Sequence, residues 1–160
     1  RRENKMKGKK RAAWLFAVLS LAICAAVGFL GYRNYETMRP PQAAVSLGGR
    51  RIAGVSGSWR CFDAFGCEKS FDADTLALAE TAPLWRGGAG ASATVYCGGE
   101  PAENLTARAA DENGTTRELS CTGAAVVLPK QTGLYTILVA ARGDDYETEF
   151  AFRVRIRAKK

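Results

Sequence analysis

The 160-residue chain has no histidine, and this absence removes much of the usual chemistry of enzymes. Histidine is the common general base near neutral pH, the common nitrogen ligand of zinc and the base of serine–histidine catalytic sites. The acidic pairs that remain are Asp72 with Asp74 and Asp144 with Asp145. We interpret them as a solvated loop and a hairpin turn, so we expect no enzyme, no cofactor and no metal site. A hydrolase of the cell envelope that relies on these carboxylates is the alternative.

Charged residues are also missing from 12–31, which reads AAWLFAVLSLAICAAVGFLG. This length matches the roughly 20 residues that a helix needs to cross the hydrocarbon core of a membrane. Ser20 is the only hydroxyl, so the segment lacks the polar stripe of a typical core helix. Trp14 lies at one end and Tyr32 at the other, where such rings favour the headgroup layer. We therefore predict a transmembrane helix over residues 12–31.

Two alternatives to a membrane anchor depend on the residues around this segment. A cleaved signal peptide starting at Met6 is disfavoured because the apolar run is long and no small-residue cleavage site follows it. Lipidation of Cys24 is disfavoured because a lipoprotein signal has a small residue before the cysteine, whereas Ile23 is large.

The basic residues are concentrated at the N-terminus. Residues 1–11 contain seven Lys or Arg and one Glu, so +6 of the formal net charge of +7 lies there. Positive charge is retained on the cytoplasmic side of a membrane span. We therefore expect a basic cytoplasmic tail over 1–11 and an extracytoplasmic C-terminal part, in a single-pass plasma membrane protein. The same distribution argues against nucleic acid as a partner, because a phosphate-binding surface needs basic residues spread over a folded face.

The rest of the chain divides into a linker and one domain. Two prolines, Pro40 and Pro41, and a Gly-Gly pair predict an extended juxtamembrane linker over residues 32–49. Residues 50–158 consist of short segments rich in β-branched and aromatic residues, separated by Gly, Pro, Asn and Asp. This pattern predicts an all-β domain of seven or eight strands, which is typical of a two-sheet sandwich.

Two hairpins are predicted within this domain. The segment YETEFAFRVRIRA, from Tyr146, alternates apolar and charged residues, as a half-buried strand does. It follows a second strand, Leu134 to Arg142, across the turn residues GDD, so the two should pair antiparallel. Asn113 and Gly114 predict the turn of another hairpin.

The segment LPKQTGLYTILVAARG, residues 128–143, resembles the corner that enters the penultimate strand of immunoglobulin-like and fibronectin-III-like domains. The glycine and tyrosine of that corner are matched by Gly133 and Tyr135. The order of GSW, an acidic stretch, Pro83 and this corner is similar to that of small membrane-anchored exported proteins of Gram-positive bacteria. The resemblance implies an immunoglobulin-like or fibronectin-III-like sandwich, preceded by one transmembrane helix, at the cell envelope. It implies no function.

The cysteines beyond the apolar segment are Cys61, Cys67, Cys97 and Cys121. An even number in an exported domain favours disulfides. Zinc bound by four thiolates is disfavoured, because close ligand pairs usually have about two to four residues between them, and Cys61 and Cys67 have five. Three pairings are open. We prefer Cys61 with Cys67, which closes a short loop, and Cys97 with Cys121, which ties two strands together.

Aromatic residues near the first two cysteines are the candidate binding residues: Trp59, Phe62 and Phe65, with Trp85 further along. An exposed patch of such rings marks a binding surface, whereas the alternative is that they fill one end of the core. We expect a non-enzymatic binding or interaction module at the cell envelope, anchored in the membrane by residues 12–31, with a protein or a cell-wall glycan as its partner. The alternative is the extracytoplasmic sensor half of a transmembrane signalling protein.

Overall fold

The computed structural model describes residues 2–62, 66 and 68–158, and for residues 2–13, 36 and 37 it describes the backbone alone. The elements, in chain order, are α1 (Arg2–Thr37), β1 (Ala43–Leu47), β2 (Arg50–Ala53), β3 (Val55–Phe62), β4 (Glu68–Phe71), α2 (Thr75–Ala79), β5 (Leu84–Gly88), β6 (Ser92–Cys97), β7 (Glu100–Pro101), β8 (Leu105–Asp111), β9 (Thr116–Leu119), β10 (Cys121–Thr122), β11 (Ala125–Val127), β12 (Gly133–Arg142) and β13 (Tyr146–Arg157).

Helix α1 contains one segment that is long and apolar enough to span a membrane, Trp14–Tyr35, with a mean hydropathy of 2.3. Its large side chains are exposed, including Trp14, Phe16 and Leu21. A core helix of a soluble domain would bury one face instead. The apolar helix predicted over residues 12–31 is therefore present, and it continues beyond both predicted ends.

The strands form two sheets. The six-stranded sheet has the order β10-β11-β6-β1-β2, with β7 paired to β6. The seven-stranded sheet has the order β4-β3-β13-β12-β8-β9, with β5 paired to β13. All pairs are antiparallel except β5 with β13, which is parallel. The domain is thus a mostly β, sandwich-like structure, and the predicted two-sheet arrangement is confirmed at this level.

The core lies between the two sheets because each strand buries every second residue. The six-stranded sheet contributes Val45, Val95 and Val126, and the seven-stranded sheet contributes Ile137 and Phe150, all of them fully buried. The predicted alternation of the last strand is confirmed. Its apolar face, which also includes Phe152, Val154 and Ile156, packs into this core.

Both predicted hairpins are present. Strands β12 and β13 pair along their whole length, from Gly133 opposite Ile156 to Arg142 opposite Glu147. At the other turn Gly114 has a φ of 78°, and its N–H donates a hydrogen bond to the carbonyl oxygen of Asp111 at 3.0 Å. A glycine adopts this left-handed backbone without steric strain.

The predicted linker over residues 32–49 is wrong in part. Helix α1 continues to Thr37, and residues 43–47 form β1, which lies between β2 and β6 inside the six-stranded sheet. Val45 of β1 is fully buried in the core. The compact unit that contains the sandwich starts at Arg39 rather than at residue 50. Proline and glycine mark the ends of this strand correctly, but they do not make the residues between them a linker.

Helix α2 is a second feature that the sequence analysis missed. Asp74 caps it, since Asp74 Oδ1 accepts hydrogen bonds from the backbone N–H of Leu76 at 3.0 Å and of Ala77 at 3.1 Å. Ala79 packs with Leu138 and Ala151 on the side of the seven-stranded sheet that faces away from the core. The helix therefore covers part of this outer face and leaves the rest open.

Candidate functional site

The outer face of the seven-stranded sheet has a concave region, which we call the outer groove. It is open to solvent and has a volume of about 410 Å³. Its lining includes Arg60 and Ser70, Asp72, Thr106 and Ala140, and Arg142, Glu147 and Glu149. Strand alternation places these side chains here. Glu147 and Glu149 alternate along β13 with residues of the buried face, so they leave the sheet on its outer side.

Charged residues of both signs form a chain across one end of the outer groove. Glu147 lies between two arginines: its Oε1 is 3.2 Å from Arg142 Nε, and its Oε2 is 4.0 Å from Arg60 Nη1. Arg60 Nε is also 3.0 Å from Glu68 Oε1. These side chains are between a third and three quarters exposed, so each pair stabilises the fold only slightly. The main effect of these linked ion pairs is to orient the hydrogen-bond donors and acceptors that face the groove.

Glu149 is held more firmly than the other carboxylates of the outer groove. The hydroxyl of Thr75, a buried residue at the start of α2, donates a hydrogen bond to Glu149 Oε2 at 2.8 Å. Arg108 Nη2 lies 3.4 Å from the other oxygen, Oε1. A second cavity of about 490 Å³, lined by Arg108 and Glu118, adjoins the outer groove and shares Thr106, Ala140 and Glu149 with it. Glu149 therefore stands between two adjoining cavities.

The floor of the outer groove is made of small side chains. Ala140 of β12 lies opposite Glu149 of β13 and next to Thr106 of β8, so two adjacent strands present a methyl and a short hydroxyl side chain here. Larger residues at these positions would fill the concavity. Together with the charged rim, this floor makes an open site whose lining is mostly apolar and whose hydrogen-bond donors and acceptors lie on its sides. Such a site suits an extended ligand that has both apolar and polar groups.

The predicted binding aromatics within the described residues, Trp59, Phe62 and Trp85, do not form one patch. Trp59 is in β3, half-buried and stacked on Phe71 at 6.4 Å, and it contributes to the lining of the outer groove. Trp85 is in β5, half-buried, and packs against the core. The two tryptophans lie beside Thr148 and Val154 of β13, which puts them about 20 Å apart along the strand. Phe62 is half-buried at the end of β3, and Phe65 lies outside the described residues.

The structure does not contain the predicted disulfide between Cys97 and Cys121, and both are free thiols. Cys121 pairs with Val126, and Val126 pairs with Ala93. Cys121 is therefore two strands away from β6, and it is aligned with Ala93, which is four residues before Cys97. The Cα atoms of the two cysteines are thus separated by about 10 Å across the sheet and about 13 Å along it. Bonded cysteines have Cα atoms within about 7 Å. The predicted bridge from Cys61 involves Cys67, which lies outside the described residues.

Cys61 and Cys97 are both buried. They lie near the first residues of the sandwich, since Cys97 is paired with Ala43 of β1. The Cys61 thiol donates to the carbonyl oxygen of Arg39 at 3.5 Å. Burial raises the pKa of the Cys97 thiol, and a hydrogen bond with Tyr146 lowers it in part. Burial, followed by the nearby Cys97 thiolate, raises the pKa of Tyr146 to about 12. Burial also raises the pKa of the Cys61 thiol, so both side chains are mostly neutral thiols at neutral pH.

Of the predicted corner, Tyr135 lies in the core, Gly133 is exposed at the start of β12, and neither lines the outer groove. Tyr135 is buried, with the Arg117 guanidinium carbon 5.5 Å from its ring centre. Gly133 has a φ of 151°, and a Cβ there would contact the Tyr135 ring. This glycine is required by its backbone conformation, and the pair is structural.

The charged residues of the outer groove were missed by the sequence analysis, although part of the signal was present. The alternation of the last strand places Glu147 and Glu149 on its solvent face. It does not reveal that Arg60 and Arg142 lie beside Glu147, because that depends on the pairing of β3, β13 and β12. Within the described residues no group of three or more cysteine or acidic side chains is arranged to hold a metal ion.

Comparison with known proteins adds no functional assignment. No family model matches the chain, and no curated protein is significantly similar to it. The class is therefore defined by the structure alone, as a β-sandwich-like domain that follows one apolar helix.

Proposed function

We propose that the protein is a single-pass protein of the plasma membrane, with a cytoplasmic N-terminus and an extracytoplasmic sandwich that binds a partner at the cell envelope. The exposed apolar helix Trp14–Tyr35 supports the anchor. The seven basic residues of 1–11 support the orientation. Protease added to intact cells tests the orientation: it should remove a tag at the C-terminus and spare a tag at the N-terminus.

We further propose that the sandwich is immunoglobulin-like. The strand order supports this, because β1, β6, β11 and β10 match the positions of strands A, B, E and D in one sheet, and β8, β12 and β13 match C, F and G in the other. Strand β9, beside β8, matches the additional C′ strand. Strands β2, β3 and β4 and helix α2 are then additions to this arrangement, and β3 and β4 contribute Arg60 and Ser70 to one side of the outer groove.

The observation that carries the binding function is the outer groove itself. It combines fixed charges of both signs, the hydroxyls of Ser70 and Thr106, and a floor of small side chains on an otherwise regular sheet. A polar partner, either an extended segment of an envelope protein or a cell-wall glycan, fits these donors and acceptors.

Site-specific photocrosslinking in intact cells tests this proposal. A photoreactive amino acid replaces the exposed Ser70 on β4, the edge strand beside the groove, and a matched control replaces the exposed Arg50 on β2 of the other sheet. We expect a discrete adduct from position 70 and none from position 50. Glu147→Lys in the first background should reduce the adduct, because it reverses the charge between Arg60 and Arg142. Identical adducts from both positions, or none from position 70, would refute the groove as a binding site.

A further inference from the structure

The second half of β13 carries arginines that the outer groove does not use. Arg153, Arg155 and Arg157 alternate with buried core residues, so they leave the sheet on its outer face. On the neighbouring parallel strand β5, Arg86 lies in register with Arg155. We call these four residues the arginine row.

The arginine row lacks compensating charges. Like charges directly opposite each other on adjacent strands are destabilising, and Arg86 and Arg155 have this arrangement. In the described part of the chain no ion pair involves Arg86, Arg155 or Arg157. Arg153 donates a hydrogen bond from Nη1 to the carbonyl oxygen of Glu80 at 3.2 Å. A bound anion would remove the repulsion and use the free guanidinium groups.

The spacing of the row favours a linear polyanion. Residues rise by about 3.3 Å along a strand, so the three arginines of β13 form a ladder with steps of about 6.6 Å, and Arg86 lies about 5 Å to one side. Guanidinium forks bind phosphate oxygens in pairs. Beside the row, Leu84 is 46% exposed and Leu134 is half-buried, which offers apolar contact to the carbon backbone of a polymer.

The arginine row and the first residues of the sandwich lie at different ends of the seven-stranded sheet. The chain enters the sandwich near Arg39, whose carbonyl oxygen accepts a hydrogen bond from Cys61, and Cys61 lies beside Tyr146 at the start of β13. Arg155 is nine residues further along β13, or about 30 Å. The row is therefore at the end of the sheet opposite to the point of entry.

We propose that the arginine row binds a linear phosphodiester polymer of the cell envelope, with about one phosphate for every 6–7 Å of chain. This inference rests on the proposal that the sandwich is extracytoplasmic, but it uses a surface separate from the outer groove. The bound polymer would lie along the second half of β13, with its phosphates on the arginines and its carbon backbone over Leu84 and Leu134.

Fluorescence anisotropy with a labelled glycerol phosphate oligomer tests this proposal on the full chain in neutral detergent micelles. We expect saturable binding that weakens with added salt. The double variant R86Q/R155Q should bind about tenfold more weakly or worse, because two charge-assisted contacts are lost. The matched variant R50Q/R51Q removes the same charge from the other sheet and should bind as the unchanged protein does. Equal losses in both variants, or no binding at low salt, would overturn the proposal.

Two competitors separate the sources of negative charge. If poly-glutamate displaces the oligomer as well as unlabelled oligomer does, the phosphate assignment is wrong and an acidic protein is favoured. If nanodiscs containing phosphatidylglycerol displace it at equal phosphate concentration, a membrane surface is favoured instead.

Urea unfolding controls for folding, and R157Q, opposite Gly88, replaces the double variant if that one unfolds. Crosslinking from position 70 should persist in R86Q/R155Q, so failure of this inference is distinct from failure of the groove.

Discussion

Gly57 of β3 lies against the side chain of Thr75, and a Cβ at Gly57 would overlap the Thr75 hydroxyl. That hydroxyl holds Glu149 at the outer groove. We expect Gly57→Ala to displace α2 and lower the free energy of unfolding by about 1–3 kcal/mol, as overpacking typically does. Gly88→Ala is the matched control, because its Cβ would meet only the Ala91 methyl at 4.0 Å and its φ is not in the left-handed region. Urea unfolding of both variants measures the difference; equal stabilities would contradict the contact.

The free energy of unfolding should depend on pH in the alkaline range because of Tyr146. Burial, together with Cys97, raises the pKa of Tyr146 to about 12 from the ordinary value of 10.0. Because the folded state holds this proton more tightly than the unfolded chain, the stabilisation is complete below about pH 10 and is lost as the pH rises towards 12. We expect the urea midpoint to fall over this range, and to fall less in Tyr146→Phe. A phenolate titration should show one tyrosine that ionises at about pH 12 and that is missing from Tyr146→Phe. Parallel losses in both proteins would mean that other groups set the alkaline limit.

At the scale of elements, α2 depends on its cap because five residues are too few for a stable isolated helix. Asp74→Ala removes the acceptor for two backbone N–H groups and should lower the free energy of unfolding by about 1 kcal/mol. Asp74→Asn should retain most of the stability, since its side-chain oxygen still accepts. Asp144→Ala, an exposed turn residue, is the control. Calorimetry of the three variants measures the effect, and a loss as large in Asp144→Ala would show that the cap is unimportant.

Elements with a long run of alternating residues or with a specific turn were predictable from the sequence. Elements that depend on which strands pair were not. The twelve residues of β13 show six alternations, and Asn113-Gly114 selects a particular turn, so these parts were found. Helix α2 spans barely more than one turn and shows no period. The outer groove combines β3, β8, β12 and β13, which are up to about 90 residues apart in the chain, and only strand pairing brings them together.

At the scale of the whole molecule, the segment between helix and sandwich decides where the folded domain begins. Strand β1 joins β2 to β6, with Val45 in register between Ile52 and Val95. A protein that starts at Arg50 would lose this strand, expose the edge of β6 and leave β2 without a partner. Burial of Val45 and Leu47 would also be lost. The remaining edge would be a template for intermolecular pairing.

We therefore expect the domain expressed from Arg39 to be monomeric and to unfold cooperatively, and the domain expressed from Arg50 to aggregate or to lack a cooperative transition. Removing the whole of β1 should lower the free energy of unfolding by several kcal/mol, because each fully buried valine or leucine contributes about 1.5–3 kcal/mol. Val45→Asp in the longer protein is an independent test, because it places an unpaired charge in the core and should be equally damaging. Size-exclusion chromatography and urea unfolding measure both outcomes. A shorter protein as stable as the longer one would show that residues 39–49 are a linker after all.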